Sequence, residues 1–274
     1  MPDVSKLKET AKQLRLDVLD MIYKAQTGHI GGSLSAADMV AALYFYKMKH
    51  DPKNPAWEDR DRFVLSKGHA APVLYSALAR SGYFELSELD RLRQVDSHLQ
   101  GAPSPKTPGV DMSAGPLGQG LSAAVGMALA AKATNKNYNV YCMIGDGEMQ
   151  EGQIWEAAMT AAKYKLENLI LILDRNKVQM SGTNDEMMPI GDPGEKFESF
   201  GFHIIRIDGH CMEQVTAALD EATETGCGKP VAIISETVKS KGISFMEGLA
   251  EWHGKAPNKG QYEIARAELE RGLE

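Results

Sequence analysis

Cysteine is scarce in this chain of 274 residues, which has only three. Cys142, Cys211 and Cys227 form no CxxC pair, and three cysteines cannot all be paired with one another. Disulfides persist in oxidising compartments, so this pattern favours reduced thiols in the cytoplasm. We therefore expect a cytoplasmic protein whose fold does not depend on disulfides.

Long apolar runs and an excess of positive charge are also absent. The purest apolar run, residues 169–173, is far too short to span a bilayer, and the polar start MPDVSKLKETAKQ has no signal-peptide core. A net charge of −7 opposes non-specific binding to nucleic acid or to an anionic membrane. We therefore expect a soluble protein that binds neither nucleic acid nor a membrane.

The second half of the chain alternates apolar strands with amphipathic helices. Continuous apolar strands of this kind are typical of a parallel sheet that is covered on both faces. The length is near the upper size for one domain, and no repeat or low-complexity tract divides the chain. We predict one α/β domain over residues 1–274, with a parallel β-sheet and helices on both faces. The predicted strands are residues 139–144, 168–174, 202–207 and 231–236, and the predicted helices between them are 153–164 and 212–224.

The first half of the chain is predicted to be mostly helical. Apolar residues recur at helical spacing in residues 4–26, and residues 69–80 are rich in Ala and Leu. Ser35-Ala-Ala-Asp38 and Ser87-Glu-Leu-Asp90 have the form of capping boxes, which predict helices starting at Ser35 and Ser87. Residues 101–120 hold several Pro and Gly and are predicted to be mainly loop.

Two of the predicted strands end in polar sequences that can hold a ligand. The first ends in Gly145-Asp146-Gly147, and the second is followed by Asn176 and Val178. Ligands bind beyond the carboxyl ends of such strands, and adjacent strands would bring Asp146 and Asn176 together. A carboxylate, an amide oxygen and a free main-chain carbonyl suit Mg²⁺ or Ca²⁺, whose remaining ligands a diphosphate can supply.

Each of these features is weak when it stands alone. A lone GDG is usually a turn, and an Asn after a strand is usually a cap or turn residue. A dinucleotide-binding fingerprint fits poorly, because Gln150 occupies the position of the third glycine in GxGxxG. A nucleotide-dependent oxidoreductase is therefore disfavoured. The pair at this spacing, with each member ending a strand, is far more specific than either member.

The pair resembles the thiamine-diphosphate motif, which begins with GDG and ends with Asn about thirty residues later. Four further segments look like transketolase signatures, and they occur in transketolase order. They are GHIGG at 28–32, RFVLSKGHA at 62–70, GPLGQG at 115–120 and WHG at 252–254. The similarity covers about residues 14–257. The chain thus resembles the N-terminal cofactor domain of the transketolase family.

The resemblance implies thiamine diphosphate and Mg²⁺ (or Ca²⁺) as cofactors, and it implies roles for individual residues. Asp146 and Asn176 would be side-chain ligands of the metal, and Val178 would supply a main-chain oxygen. Gly147 would contact the diphosphate, and Lys239, within KSKG, would lie near the phosphates.

Other matching residues would line the rest of the site. The main chain of Gly115 and Leu117 would meet the aminopyrimidine ring, and Glu151 would lie beside the cofactor at a subunit interface that links two active sites. The residues expected to contact the cofactor or the donor sugar and to take part in catalysis are His29, His69, His253 and Lys239. The remaining histidines, except for His98 discussed next, match no motif and are expected to be surface or core residues; they are His50, His203 and His210.

One position departs from the family pattern. Many transketolases have a substrate-contacting histidine in a His-Pro dipeptide before the GxLGQG loop, and this chain has Ala102-Pro103 there. His98 lies four residues earlier and is the alternative source of the missing imidazole. The departure puts the usual sugar-phosphate donor in question more than it does the cofactor.

The family's reaction transfers a two-carbon ketol unit from a ketose phosphate to an aldose phosphate. It needs an activating glutamate from a pyrimidine-binding domain, and single-chain transketolases are more than twice this length. We therefore expect a separate C-terminal subunit that supplies the glutamate, in a heterotetramer with two copies of each chain. A truncated transketolase is the alternative explanation of the length.

Several other functions remain open at this stage. Within the thiamine enzymes these are a transketolase specialised for an unusual ketose, a 1-deoxyxylulose-5-phosphate synthase-like enzyme and the α subunit of a 2-oxo-acid dehydrogenase. The last two lack the combined LSKGHA and WHGK pattern. From another class, the chain could be a cofactor-binding subunit without turnover. The presence of all three motif histidines argues against that, because binding alone would not require them.

Overall fold

The fold is built on a five-stranded sheet. A computed structural model describes residues 2–272. Its strands are Arg62–Leu65 (β1), Val140–Gly145 (β2), Leu169–Arg175 (β3), His203–Asp208 (β4) and Val231–Glu236 (β5). Their order is β1-β2-β3-β5-β4, and all neighbours run parallel. The predicted α/β class with a parallel sheet is confirmed, and β2 to β5 lie where the apolar runs indicated.

Helices cover both faces of the sheet, as expected. Alternate residues of β2 and β3 point to opposite faces, so Tyr141 and Ile170 belong to one core and Cys142 and Leu171 to the other. The helices are Val4–Ala25 (α1), Ile30–Ser35 (α2), Ala37–Ala42 (α3), Ala71–Ser81 (α4), Gln119–Ala133 (α5), Gly152–Lys163 (α6), Asn184–Met187 (α7), Pro193–Phe200 (α8), Met212–Glu224 (α9) and Lys259–Arg271 (α10). The first core packs under α1, α3, α4 and α9, and the second under α5 and α6.

Strand β1 is not among the predicted strands. It has only four residues, which is too few to show a periodic pattern, and it lies at the edge of the sheet beside β2. The strand matters for the site because the chain that leaves it, Ser66 and Lys67, emerges next to the carboxyl end of β2. Ser66 N donates to Met143 O at 2.8 Å.

Both predicted capping boxes are wrong. Ser35 is the last residue of α2, which begins at Ile30. The Asp38 carboxylate binds the Arg15 guanidinium at 3.2 and 2.5 Å, so it is not available to the main chain of Ser35. The sequence after Glu85 forms a short 3₁₀ segment, Leu86–Arg91, instead of an α-helix. Tertiary pairing of a capping residue overrides the local signal in the first case.

A long irregular segment, residues 92–118, links the 3₁₀ segment to α5, and it contains the loop predicted over residues 101–120 except for the last two residues, which begin α5. All three cysteines are free thiols. Within residues 2–272, no helix combines the length and apolar character needed to cross a membrane.

Candidate active site

Asp146 lies directly after β2 and is 3% exposed. Its Oδ1 accepts a hydrogen bond from Gly147 N at 2.8 Å, and its Oδ2 accepts one from Lys177 N. Burial, followed by the negative charge of Asp174, raises the pKa of Asp146 to about 6. Because burial and Asp174 disfavour the charged form of this carboxylate, a cation bound beside it would be stabilising.

Asn176 and Val178 lie beside this carboxylate, because β2 and β3 end side by side. Asn176 Oδ1 accepts from Val178 N at 3.1 Å. The main-chain oxygen of Val178 accepts from Lys239 Nζ at 3.0 Å. The structure thus brings the three predicted metal ligands into one connected cluster at the carboxyl ends of β2 and β3, which we call the sheet edge from here on.

The chemistry of this cluster fits a hard divalent cation. It combines one carboxylate, one amide oxygen and one main-chain carbonyl, which are the oxygen donors that Mg²⁺ and Ca²⁺ prefer. Within residues 2–272, no three His, Cys, Asp or Glu side chains converge in the manner of a protein-only metal site. The predicted set contains only one such side chain, so further ligands would have to come from a bound diphosphate.

The three motif histidines meet above this edge. Their ring centroids are 5.4 Å apart for His29 and His69, 5.3 Å for His29 and His253, and 5.2 Å for His69 and His253. Lys239 Nζ lies 2.9 Å from His253 Nδ1. Residues from the N-terminal third and the C-terminal end of the chain therefore form a single wall of imidazoles with a lysine at its base.

The histidines in this wall are held neutral. Burial, then the positive charges of Lys67 and the other histidines, lowers the pKa of His69 to about 2. Burial, then Lys239, lowers the pKa of His253 to about 4, and burial, then Arg93, also lowers that of His29. Neutral imidazoles can both donate and accept hydrogen bonds, which suits contact with sugar hydroxyls.

Lys239 is a buried cation at 1% exposure. Burial, followed by the Lys67 ammonium, lowers the pKa of Lys239 to about 8. The side chain fits because Gly31 lies against it: a Cβ added to Gly31 would come within 2.9 Å of Lys239 Cε. Close packing against GHIGG thus fixes a lysine that can pair with an anionic group.

Several buried polar atoms around this wall have no hydrogen-bond partner within the described chain. They include His29 Nδ1, Gln179 Nε2 and Ser240 Oγ. Buried polar atoms are nearly always paired in folded proteins, so a bound ligand or ordered water is needed to satisfy these three. Together with Lys67 and Lys239, they fit a polar, anionic group such as a diphosphate.

Two buried acids contribute here although the sequence analysis gave them no role. Glu148 Oε1 accepts from Ser66 Oγ at 2.5 Å and from Gly118 N at 2.8 Å, which ties the end of the GPLGQG loop to the GDG turn. Asp174, in β3, binds Lys67 Nζ. The position of Glu148 next to GDG was the only sequence signal for it, and neither acid could be paired with its partners before the fold was known.

The predicted pyrimidine-side residues lie at the outer rim of the site. Gly115, Leu117 and Glu151 are all exposed, and Leu117 is 38% exposed. A Cβ added to Gly118 would come within 2.9 Å of Glu151 Cβ, so the loop and the start of α6 are in contact. The roles expected of these residues, contact with the aminopyrimidine ring for Gly115 and Leu117 and a subunit interface for Glu151, stay predictions.

The His98 side chain contacts Phe84 and Glu88. Its ring packs edge-on against Phe84 at 4.9 Å, and its Nε2 lies 3.7 Å from Glu88. Arg93, in contrast, contacts the segment that holds Ala102, since a Cβ added to Gly101 would come within 2.8 Å of Arg93 Nη2. Whether His98 supplies the imidazole that position 102 lacks stays a question for the substrate experiments proposed below.

The family model for the thiamine diphosphate-binding domain of transketolase matches residues 6–274. The 6-deoxy-6-sulfo-D-fructose transketolase subunit of Clostridium sp. (strain MSTE9) is 45% identical, over 97% of this chain and 96% of that subunit. An apulose-4-phosphate transketolase subunit of Phocaeicola vulgatus is 41% identical, over 99% of this chain and 96% of its own length.

Full-length transketolases match over part of their length. Human transketolase is 42% identical over 93% of this chain, which spans 41% of the human protein. The crystal structure of transketolase from Campylobacter jejuni superposes with a TM-score of 0.93 and 37% identity, over 98% of this chain and 43% of that one. Sequence and fold agree: the chain belongs to the transketolase family and corresponds to its thiamine diphosphate-binding domain.

Proposed function

We propose that this chain is the cofactor-binding subunit of a thiamine-diphosphate-dependent transketolase, which transfers a two-carbon ketol unit from a ketose to an aldose. One observation carries the proposal. The wall formed by His29, His69 and His253, with Lys239 at its base, lies next to the oxygen cluster of Asp146 and Asn176. Such a site offers cation ligands, an anion-binding lysine and hydroxyl-binding imidazoles together.

The proposed cofactors are thiamine diphosphate and a divalent metal, Mg²⁺ or Ca²⁺. Asp146, Asn176 and the Val178 carbonyl would hold the metal, and Gly147 and Lys239 would contact the diphosphate. When bound, the thiazolium ring of the cofactor supplies the carbanion stabilisation that amino-acid side chains cannot provide. Residues of the protein bind and orient the cofactor and the substrate and transfer the protons.

The chain's own part in the reaction is to bind the sugar hydroxyls and to move protons at them. Burial lowers the pKa values of His69 and His253, so both are neutral at working pH but are weak bases. They can accept the proton of a donor hydroxyl because that hydroxyl becomes strongly acidic as its carbon–carbon bond breaks. The Lys239 ammonium, 2.9 Å from His253 Nδ1, holds that ring so that Nε2 is the atom left for the substrate.

We further propose that the active enzyme needs a second, C-terminal subunit. The chain covers 96% of two relatives that are named as transketolase subunits, but only 41% of human transketolase. The missing part would hold the pyrimidine-binding and C-terminal domains, including the activating glutamate. A heterotetramer with two copies of each chain, joined near the exposed Glu151, is the proposed assembly, and the cytoplasm is its proposed location.

An unusual ketose is the second candidate donor. It is favoured by Ala102, which lacks the imidazole found in many transketolases, and by His98, whose ring packs against Phe84. The two relatives named above act, by their names, on a sulfonated ketose and on apulose 4-phosphate. Ordinary ketose phosphates and these two classes therefore define the donor panel to test.

Cofactor binding tests the proposal first. The assembly purified through a tag on this chain should bind thiamine diphosphate only when Mg²⁺ or Ca²⁺ is present, as measured by calorimetry, and should turn over at least one donor of the panel. Binding without turnover of any donor would favour a cofactor-binding subunit that lacks catalysis. Metal-independent binding, or none, would contradict the proposed site.

A further inference from the structure

A fully buried acid, Asp174, lies next to the predicted metal ligands without a role in the proposed function. It is 2% exposed and is paired with Lys67, which is 1% exposed. A buried ion pair is an inefficient way to stabilise a core, since desolvation of both charges offsets much of their attraction. A second reason for its presence must therefore be sought in what the carboxylate contacts.

Four donors surround this carboxylate. Oδ2 accepts from Lys67 Nζ, from Ser35 Oγ at 2.7 Å and from Asn176 Nδ2 at 3.2 Å, while Oδ1 accepts from Thr237 Oγ1 at 2.6 Å. The Lys67 ammonium is ion-paired with this carboxylate, and both carboxylate oxygens act as acceptors. The carboxylate thus joins the end of α2 and the chain segments that follow β1, β3 and β5.

The contact with Asn176 decides which way that amide points. Its Nδ2 donates to Asp174, and its Oδ1 accepts from Val178 N at 3.1 Å. A flipped amide would place its oxygen against the Asp174 carboxylate and its NH₂ against the Val178 N–H, so that both contacts would become repulsive. The two hydrogen bonds are therefore compatible with only one orientation of the Asn176 amide.

We propose that Asp174 is a positioning residue of the metal site. It fixes the Asn176 amide so that the oxygen, the atom a hard cation needs, is held on the side of Val178, and the ion pair with Lys67 holds the carboxylate in place. This inference rests on the proposed metal and cofactor site. Residues that orient ligands in this way commonly change metal affinity by about 10–100-fold when they are replaced.

The chain offers a matched control in Asp38. That carboxylate is also buried, at 4% exposure, and is paired with Arg15 and with His210 Nδ1 at 2.8 Å. It has no contact with Asp146, Asn176 or Val178 among its hydrogen bonds. Asp38→Asn removes a comparable buried charge from a comparable ion pair, and so reports the loss of stability that a merely structural role would cause.

The experiment compares Mg²⁺ with Ca²⁺. Titration calorimetry in saturating thiamine diphosphate is run on the assembly that carries wild-type chain, Asp174→Asn or Asp38→Asn. Mg²⁺ demands near-ideal octahedral geometry, whereas Ca²⁺ tolerates displaced ligands. We expect Asp174→Asn to weaken the binding of Mg²⁺ by about 10–100-fold and the binding of Ca²⁺ by clearly less. The ratio of the Mg²⁺ affinity to the Ca²⁺ affinity should therefore fall. Asp38→Asn should leave that ratio unchanged while it lowers the unfolding temperature.

A folded Asp174→Asn assembly with the wild-type ratio would overturn the inference. If this variant does not fold, Thr237→Val and Ser35→Ala each remove one donor without leaving a lone buried charge. Both should shift the ratio in the same direction by about threefold, and an unchanged ratio in both would equally overturn it. A wild-type assembly that binds neither metal nor cofactor would instead contradict the proposed function, so the two failures are distinguishable.

Discussion

The two sides of the candidate site differ in how they are built. At the sheet edge, formed by the carboxyl ends of β2 and β3, Asp146 and Val178 are buried and Asn176 is half-buried, and hydrogen bonds with neighbouring main-chain groups place the side chains of Asp146 and Asn176. The opposite side, the irregular segment 92–118, carries Ala102 and largely follows the surface. The predicted metal ligands, which every substrate would need, are positioned by the strands. A loop can change its sequence without disturbing the core, so the segment 92–118 is suited to determine which substrate is bound.

The largest effect is expected at the sheet edge. Asp146→Ala removes the only carboxylate among the three predicted metal ligands and should reduce metal-dependent thiamine diphosphate binding by at least about 100-fold. Calorimetry on the assembly measures this directly. Affinity close to that of the wild type would break the comparison, because the sheet edge would then not be the cation site.

A smaller effect is expected from the pH dependence of Lys239. Its pKa is lowered to about 8, so above that pH the folded protein loses the charge that a diphosphate would contact. Cofactor affinity should therefore fall by about tenfold between pH 8 and pH 9.5. Lys239→Met should bind more weakly and show no such fall.

The pH dependence of the free energy of unfolding, measured on the cofactor-free chain, tests the direction of the Lys239 pKa shift independently. A lysine pKa that is lower in the folded state than in the unfolded one means that the unfolded chain binds the proton more tightly. Stability should therefore rise with pH from about 8 to about 10.5, relative to Lys239→Met. A wild-type profile parallel to that of the variant would contradict the shift.

On the loop side, Ala102→His should have a moderate effect that depends on the substrate. One restored hydrogen bond is worth about 0.5–1.5 kcal/mol, so kcat/KM for ordinary ketose phosphates should rise by about 3–10-fold. Cofactor affinity should stay as it is. An equal gain for every donor, or a loss of cofactor binding, would show that position 102 does not discriminate between substrates.

The smallest effect is expected at His98. Its ring contacts Phe84 and Glu88, so His98→Gln should change KM for any donor by less than about twofold. A large increase in KM would mean that the His98 ring reaches the substrate. His98, and not a residue at position 102, would then be the source of the imidazole.

The sequence predicted the sheet edge better than its surroundings. Continuous apolar strands reveal a parallel sheet, and a parallel sheet puts Asp146 and Asn176 at one edge, so both follow from local patterns. The Lys67–Asp174 pair does not, because its members are 107 residues apart and neither lies in a pattern that names the other. The capping box at Ser35 failed for the same reason: the partner of Asp38 is Arg15, on another helix.

The clustering of the histidines also depended on more than local pattern. His29, His69 and His253 were singled out through the resemblance of three separate motifs, and their meeting within 5.2–5.4 Å is a property of the tertiary fold. The direction of the His98 ring could not be predicted either, because a loop without periodicity leaves side-chain orientation to distant contacts such as Phe84.

The central claim is that this chain holds the cofactor half of a transketolase and needs a partner for the other half. Ketol transfer from xylulose 5-phosphate and from the unusual ketoses, with thiamine diphosphate and Mg²⁺, is to be measured on the pure chain and on the assembly purified through its tag. The account predicts no transfer by the pure chain and transfer of at least one ketol donor by the assembly. Full activity of the pure chain, or an assembly that binds the cofactor but transfers no donor, would contradict it.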